Sequence, residues 1–452
     1  MSAGAVARLP RNWATPPVYA RFSVQLGKML DEKRIRGTHL APYLRNVDVQ
    51  WNHVNTADLP EMDFSDEDRQ QYSLRAGDLL ICEGGEVGRT AIWDGALAEC
   101  YFQKAVHRLR PITENDEPRF FRYFMRMAVE SGVFAQTTAS TIQHLPAEKL
   151  RVVRYPAPPV EQQRVIADYL DRETARLDAL VAAKGRVLEL LAEKRRALIT
   201  HAVTRGLDPR GPLRESGIPW IGEIPKHWAT VRLKYRLHGI EQGWSPMCDS
   251  VPAVPEEWGV LKAGCVNDWE FDPNQNKRLP DLIEPLPQYE VRAGDVLMSR
   301  ANTRALLGST ALVCDVRPRL MLCDKLYRLD VDDLHLSKEF AVALLRSPVG
   351  RYEFERDATG ASNSMQNIGQ DSVRNMWFAA PPLDEQHAIV SFINDAVAKL
   401  DAMRSATERT ITLLKERRTA LIAAAVTGQI DVGSRRYYTD EAARQKEPER
   451  RQ

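Results

Sequence analysis

No run of apolar residues in this 452-residue chain approaches the roughly 18–20 needed to span a bilayer, so no transmembrane helix is expected. Met1 to Arg8 has small residues but no apolar core of the secretory kind. Cysteine is scarce. Cys82, Cys100, Cys248, Cys265, Cys314 and Cys323 show no Cys-x-x-Cys spacing, which argues against a disulfide framework or a zinc site and for a cytoplasmic chain. None of the nine histidines stands at metal-ligand spacing. A G-x-x-x-x-G-K-[ST] loop is missing, and with it the expectation of an ATP-driven motor. Amino-methyltransferases hold their target base with Asp, Asn or Ser before a Pro-Pro-aromatic triplet; Pro16-Pro17-Val18, Pro158-Pro159-Val160 and Pro381-Pro382-Leu383 lack both flanks. Gly84-Gly85-Glu86-Val87-Gly88 is not G-x-G-x-x-G, and Asp31-Glu32-Lys33 is a triplet common by chance. No catalytic, cofactor-binding or metal-binding residue is therefore assigned.

An excess of one charge is also missing. The net charge is +1, whereas a dedicated DNA binder usually has a clear basic excess. Affinity for nucleic acid must come from partner subunits or from local clusters. The clusters are Lys33-Arg34-Ile35-Arg36, His107-Arg108-Leu109-Arg110, Arg119 with Arg122 and Arg126, Lys277-Arg278, and Arg300 with Arg304.

What the chain does have is a repeat. Leu9-Pro10-Arg11-Asn12-Trp13-Ala14 returns as Ile224-Pro225-Lys226-His227-Trp228-Ala229. Tyr72 to Asp78 returns as Tyr289 to Asp295, and Pro158-Pro159-Val160-Glu161-Gln162-Gln163 as Pro381-Pro382-Leu383-Asp384-Glu385-Gln386. The unit is too long for a solenoid, whose repeats run roughly 20–50 residues. A duplicated domain pair is built to engage two similar but non-identical targets.

Each copy has two unlike parts. Short β-prone runs bounded by Gly, Pro, Asn and Asp predict a strand-rich α+β domain, with helices over Arg119 to Gly132 and Ser337 to Arg346. After Pro159 and Pro382 the pattern turns helical, starting on proline and acidic residues, with a break predicted near Asp171 and near Asn394-Asp395. A seam follows at steps of three and four residues: Leu177, Leu180, Lys184, Leu188, Leu191, Arg195, Leu198 and Ala202, then Leu400, Met403, Thr407, Ile411, Leu414, Arg418, Leu421 and Ala425. Both copies interrupt the apolar stripe at matched places, Lys184 or Thr407 and Arg195 or Arg418. Such stripes predict two long helices packed as an antiparallel coiled coil. The divisions expected are a recognition domain at 1–158, a helical region at 159–206, a Pro/Gly-rich linker at 207–219, a second domain at 220–381, a second helical region at 382–430, and a charged tail at 431–452 expected to be disordered. The whole is an α+β fold with a pseudo-two-fold internal repeat.

Several segments then carry a likeness: Glu215 to Trp228 (Glu-Ser-Gly-Ile-Pro-Trp-Ile-Gly-Glu-Ile-Pro-Lys-His-Trp), Gly77 to Arg89, the Pro-Pro-x-x-x-Gln helix starts and the Arg-Arg-Ala-Leu-Ile helix end. In this order, twice, the chain resembles the specificity subunit of type I restriction–modification systems from Leu9 to about Asp431. The resemblance implies two target-recognition domains, each reading one half of an asymmetric bipartite site on double-stranded DNA. It further implies two conserved helical regions that set the spacing and dock two modification (methyltransferase) subunits, with restriction (motor–nuclease) subunits joining. S-adenosylmethionine, ATP and Mg are expected on those partners, and this chain is expected to be non-catalytic. Two departures stand out. Copy one lacks an equivalent of Ile218 to Gly222, so its first strand is expected to be shorter or differently placed, and Ser299 to Thr303 replaces the Glu83 to Arg89 loop in copy two.

Arg and Lys pair bidentately with guanine, and Asn and Gln with adenine; glycine lets a backbone approach closely. The DNA-binding candidates are accordingly Gly84, Gly85, Glu86 and Arg89, with Ser299, Arg300, Asn302 and Thr303. Arg45 and Lys262 come next, as do Thr138, Ser140 and Gln143, and Ser362, Asn363 and Gln366. From Leu177 to Ala202 a helix spans about 38 Å at 1.5 Å per residue, which predicts a non-specific spacer of roughly 5–9 base pairs. Alternative readings are the specificity subunit of a type II-like restriction or methylation system, and a non-DNA coiled-coil scaffold with two binding domains.

Overall fold

The computed structural model describes residues 9–29, 37–134, 144–362 and 365–432. The expected tail beyond Val432, the Lys33–Arg36 cluster and the candidates Thr138, Ser140, Gln143 and Asn363 lie outside the described residues. Four helices organise the rest: α1 (Pro118–Glu130), α2 (Val160–Arg205), α3 (Lys338–Arg346) and α4 (Leu383–Val426). The chain forms two compact units, residues 1–185 with 409–452, and residues 186–408. Each unit therefore takes one strand-rich domain and a part of each long helix.

Two sheets of the first domain recur strand for strand in the second. In the first, an antiparallel sheet runs Phe22–Leu26, Val106–Pro111, Leu79–Cys82, Thr90–Ile92; in the second it runs Leu237–Gln242, Leu326–Val331, Val296–Ser299, Thr310–Leu312. A three-stranded mixed sheet follows the same rule twice. Leu40–Leu44 pairs antiparallel with Glu61–Asp63 and parallel with Tyr101–Phe102, as Gly259–Leu261 does with Asn276–Arg278 and Leu320–Met321. Copy one's first strand is indeed reduced. Ala14 and Pro17 make only isolated bridges to Ala157 and Arg154, where Ala229–Arg232 and Trp377–Ala380 form a ladder. Part of the expected linker is ordered as well, because Leu213–Glu215 pairs with Glu223–Pro225.

The long helices run without the expected breaks, over 46 and 44 residues. An Asp in a helix interior costs only tenths of a kcal/mol, and Asp171 is held by Arg119, Arg122 and Tyr123. In the second unit Ile199, Ala202 and Val203 share a core with Ile389 and Ile393; in the first, Ile166 and Leu170 share one with Ile422, Ala425 and Val426. High numbers on one helix meet low numbers on the other, so the helices are antiparallel in both units. Leu180 and Met403 are corrections to the seam, being 42% and 55% exposed. The covered face steps from Leu177 to Val181 and Lys184, then Leu188, Leu191, Arg195 and Leu198. That alternation of four and three is the heptad seam, and it passes over Leu180.

Two glutamines tie each helix start to its domain. Gln163 is buried; its Nε2 donates to the Pro158 and Asn115 carbonyls at 2.8 and 3.3 Å, and its Oε1 accepts from the Glu117 N–H at 2.9 Å. Gln386 repeats this with the Pro381 and His335 carbonyls at 3.0 and 2.9 Å and the Ser337 N–H at 2.8 Å. Each amide satisfies three backbone groups, buried or partly buried, that an apolar side chain would leave unpaired. The matching Gln in the two Pro-Pro-x-x-x-Gln motifs is thus structural.

Candidate nucleic-acid interface

Most of the basic clusters are neutralised inside the fold. Burial lowers the His107 pKa, and its Nε2 donates to the Leu145 carbonyl at 2.7 Å. Arg108 is 8% exposed and donates to the Gln71 and Ser73 carbonyls; Arg328 does the same with Gln288 and Glu290. Arg110 pairs with Asp78, Arg126 with Glu130, and Arg278 with Asp249. These side chains are spent on the fold's own carbonyls and carboxylates and are not free to meet phosphates.

In the first unit the glycine loop forms a tight turn on the strand Leu79–Cys82. The Gly88 N–H donates to the Cys82 carbonyl and the Cys82 N–H to the Arg89 carbonyl. Gly85 and Gly88 have φ of +76° and +80°, which L side chains adopt only at a cost. A Cβ on Gly88 would also stand 2.7 Å from Val129 Cγ2. Arg89 points inward, donating to the Asn46 carbonyl at 2.8 Å and to Glu86 at 3.2 Å. With only 13% of its side chain exposed, Arg89 holds the loop and is not placed to read a base. Glu86 is half exposed and accepts from Trp51 Nε1 at 2.6 Å. The Trp51 ring in turn lies 4.5 Å from the Arg126 guanidinium. Arg45 is engaged bidentately by Asp48. Gly84, Gly85 and Glu86 are thus gathered with Arg126 of the Arg119–Arg122–Arg126 cluster and with Asn46 and Trp51, which the sequence alone does not single out.

The second unit builds another surface at the matching place. Ser299 is fully buried, donating from Oγ to the Leu306 carbonyl, which removes it as a base reader. Arg300 packs on Tyr327 at 5.7 Å and donates to the Asp324 carbonyl. Asn302 lies in the short strand Ala301–Asn302, which pairs with Met365–Asn367, itself paired with Thr359–Ser362. The Asn302 amide donates to Asn267 Oδ1 at 3.0 Å and its oxygen accepts from the Thr303 N–H. Thr303 is exposed, and Gln366 donates to the Gly360 carbonyl at 3.3 Å. Ser362 closes its strand opposite Met365. Lys262 is half-buried and its backbone N–H donates to the Gln275 carbonyl. Trp269 and Arg346 repeat the Trp51–Arg126 stacking at 4.7 Å. Here burial lowers the guanidinium to about 10, and Arg346 is spent on the carbonyls of Val266, Asn267 and Thr310. Aligning the copies around Trp51/Trp269 and Arg126/Arg346 would have found these residues. Among the described residues no group of three His, Cys, Asp or Glu side chains could hold a metal, and no helix is long and apolar enough to cross a membrane.

Residues 24–189 match the family model described as the type I restriction modification DNA specificity domain. The EcoEI specificity subunit of Escherichia coli is 30% identical over 222 residues, 49% of this chain and 37% of that relative's length. The StySPI specificity subunit of Salmonella potsdam is 21% identical over 442 residues, covering 94% of this chain and 90% of its own. Two solved structures share the fold at 18% identity. One, from work on assembly and conformational transition of the type I R-M system, has a TM-score of 0.70 and covers 93% of this chain and 99% of its own. The other, the HsdS subunit from Thermoanaerobacter tengcongensis, has a TM-score of 0.55 with 93% and 98% covered. Domain match, relatives aligned over most of the chain and duplicated fold agree: residues 24–189 match the type I specificity domain, and the chain is similar along its length to specificity subunits of type I restriction–modification systems.

Proposed function

We propose that the chain selects the DNA sequence for such a system, reading an asymmetric bipartite site on double-stranded DNA with one unit on each half. The observation that carries this is the contrast between frame and loops. Sheets, buried glutamines and helix seams match between units, whereas the first unit has a glycine turn at 83–89 where the second has a three-stranded patch around Asn302, Thr303 and Gln366. Divergence confined to the loops of two matched frames is what reading two different half-sites requires. The base-reading candidates that remain are the exposed Gly85, Glu86 and Thr303 and the half-buried Asn302 and Gln366, while Gly84 is buried beneath them. Arg89, Arg300 and Arg45 hold loops in place.

The chain is read as non-catalytic, with methyl transfer, ATP hydrolysis and cleavage supplied by modification and restriction subunits that carry S-adenosylmethionine, ATP and Mg. Two features support docking of two copies of one partner on the helices. Leu180 and Met403 are exposed at matched positions, as are Leu190 and Leu413 at 48% and 62%, and apolar side chains left in water at repeated places fit a repeated partner. The test is co-expression with the modification subunit and long-read mapping of methylated adenines. Exchanging residues 1–157 for the first domain of another family member should change one half of the motif and leave the other intact. A change in both halves would refute independent reading.

A further inference from the structure

The two units also differ in the cleft between the domain's first long helix (α1 or α3) and the helix pair, where their frames align. In the first unit the cleft is filled by the chain itself. Arg119 donates to Asp168 at 2.8 Å and Asp171 at 3.0 Å, Arg122 to Asp171 at 2.8 Å, and the Tyr123 hydroxyl to Asp171 at 2.7 Å, with Thr174 Oγ1 3.2 Å from that hydroxyl. Aligning on Gln163/Gln386 and on Arg126/Arg346, the second unit has Glu339, Val342 and Ala343 for Arg119, Arg122 and Tyr123, and Asn394 and Val397 for Asp171 and Thr174. The large cationic and phenolic side chains are gone, and a cavity of about 750 Å³ stands there.

Its walls have a definite chemistry. Trp269, Phe271, Leu312, Val342, Ile393 and Val397 make an apolar floor. Around it stand the carboxylates of Glu270, Asp315, Glu339 and Asp401 against a single cation, Arg195, already paired with Asp401 at 2.8 Å. Glu270 and Asp315 are exposed and enter no ion pair among the described residues. An acidic rim repels nucleic acid and attracts cations, and an apolar floor this size suits side chains larger than an ion.

We propose that this cleft takes an arginine- and tyrosine-bearing segment of a partner protein, which supplies in trans the groups that Arg119, Arg122 and Tyr123 supply within the first unit. The first unit's cleft, already filled, takes no such segment, so the two halves of the chain are unequal toward protein partners. This goes beyond the reading of DNA and stands or falls separately from it.

The full chain is titrated with acetyl-Arg-Phe-Phe-Arg-Tyr-amide, which copies residues 119–123, following tryptophan fluorescence and calorimetry. Saturable one-to-one binding is expected. It should weaken by about tenfold or more when both peptide arginines become alanine, and likewise in the Glu270→Gln/Asp315→Gln variant, whose changes are exposed and spare the fold. The Val342→Arg/Ala343→Tyr/Asn394→Asp/Val397→Thr variant rebuilds the first unit's filling and should abolish binding while keeping the melting temperature. Absence of saturable binding, equal binding of the alanine peptide, or undiminished binding by the carboxylate variant each overturns the proposal. These readouts need no DNA, so failure of the specificity reading would leave them unchanged.

Discussion

Arg195 of α2 reaches across the helix pair to Asp401 of α4 at 2.8 Å, and Arg418 of α4 reaches Asp178 of α2 at 3.2 Å. The positions are the same in each copy with the partners exchanged, so the cationic interruptions of both stripes are one device used twice. Asp401 and Asp178 are about half exposed, which keeps the pairing energy near 1 kcal/mol or less. Arg195 additionally stacks on Trp269 at 4.9 Å; Arg418 has no such ring contact among the described residues. Arg195→Ala should therefore lower the melting temperature more than Asp401→Ala or Arg418→Ala. Equal losses would show that the ring contact contributes nothing.

Gly206 and Gly428 end the two long helices with φ of +71° and +68°, the left-handed cap that glycine adopts freely. Each sits against the tryptophan that opens a domain. A Cβ on Gly206 would stand 3.1 Å from Trp228 Cζ2; one on Gly428 would stand 2.6 Å from Pro10 Cγ and 3.0 Å from Trp13 Cη2. Both alanine variants should lose about 1 kcal/mol from the backbone, and Gly428→Ala about 1–3 kcal/mol more from crowding. Gly185, inside α2 with open space around it, should behave oppositely. Gly185→Ala is expected to gain about 0.5–1 kcal/mol. Thermal unfolding of the three variants reads the order directly.

Much of this architecture was legible because duplication repeats local signals. The α+β class, the two helix starts at Pro-Pro-x-x-x-Gln and the antiparallel seam all rest on spacing, which sequence displays. The unbroken helices were not legible at Asp171, because a helix-breaking tendency worth tenths of a kcal/mol is overridden by Arg119, Arg122 and Tyr123, some 50 residues away in the chain. Leu180 misled for a related reason, since leucine at a step of three looks like seam until the heptad places Val181 there. At the candidate site, exposure decided what residue type could not: Ser299 and Arg89 have reading chemistry but face inward. The Gly206–Trp228 and Gly428–Trp13 contacts joined residues that only the folded chain brings together.

Glu353 supplies a pH-dependent expectation. Its side chain is 4% exposed, and its Oε1 accepts from Trp220 Nε1 at 3.1 Å and the Trp377 N–H at 2.9 Å. Burial raises its pKa from the ordinary 4.5 despite those donors. The folded state thus holds this proton more tightly than the unfolded state. The resulting stability is fully present below the unfolded pKa and is lost as pH rises through the folded one. Glu353→Gln removes the titration and leaves an amide oxygen for both donors. The variant should gain on the parent chain as pH rises from about 4 toward neutrality, in melting temperatures measured across that range. A difference independent of pH would show that Glu353 does not titrate during unfolding.

The packing of the helices changes how a spacer experiment must be built. Adding four residues, about one turn, to α2 alone after Leu191 would rotate the seam beyond it and leave α4 unmatched, because Arg195 and Asp401 fix the register of both helices. Seven residues keep the four-three alternation, and α4 needs seven more at the facing level, after Arg404, because the antiparallel register of Arg195 with Asp401 places Ser405 opposite Leu191. Seven residues lengthen a helix by about 10.5 Å, roughly three base pairs at 3.4 Å each. The matched double insertion should therefore add about three base pairs to the non-specific spacer of the methylated motif, with both half-sites unchanged. The single four-residue insertion should instead lower stability and methylation. Retained methylation with an unaltered spacer in the double insertion would show that these helices do not set the distance between the half-sites.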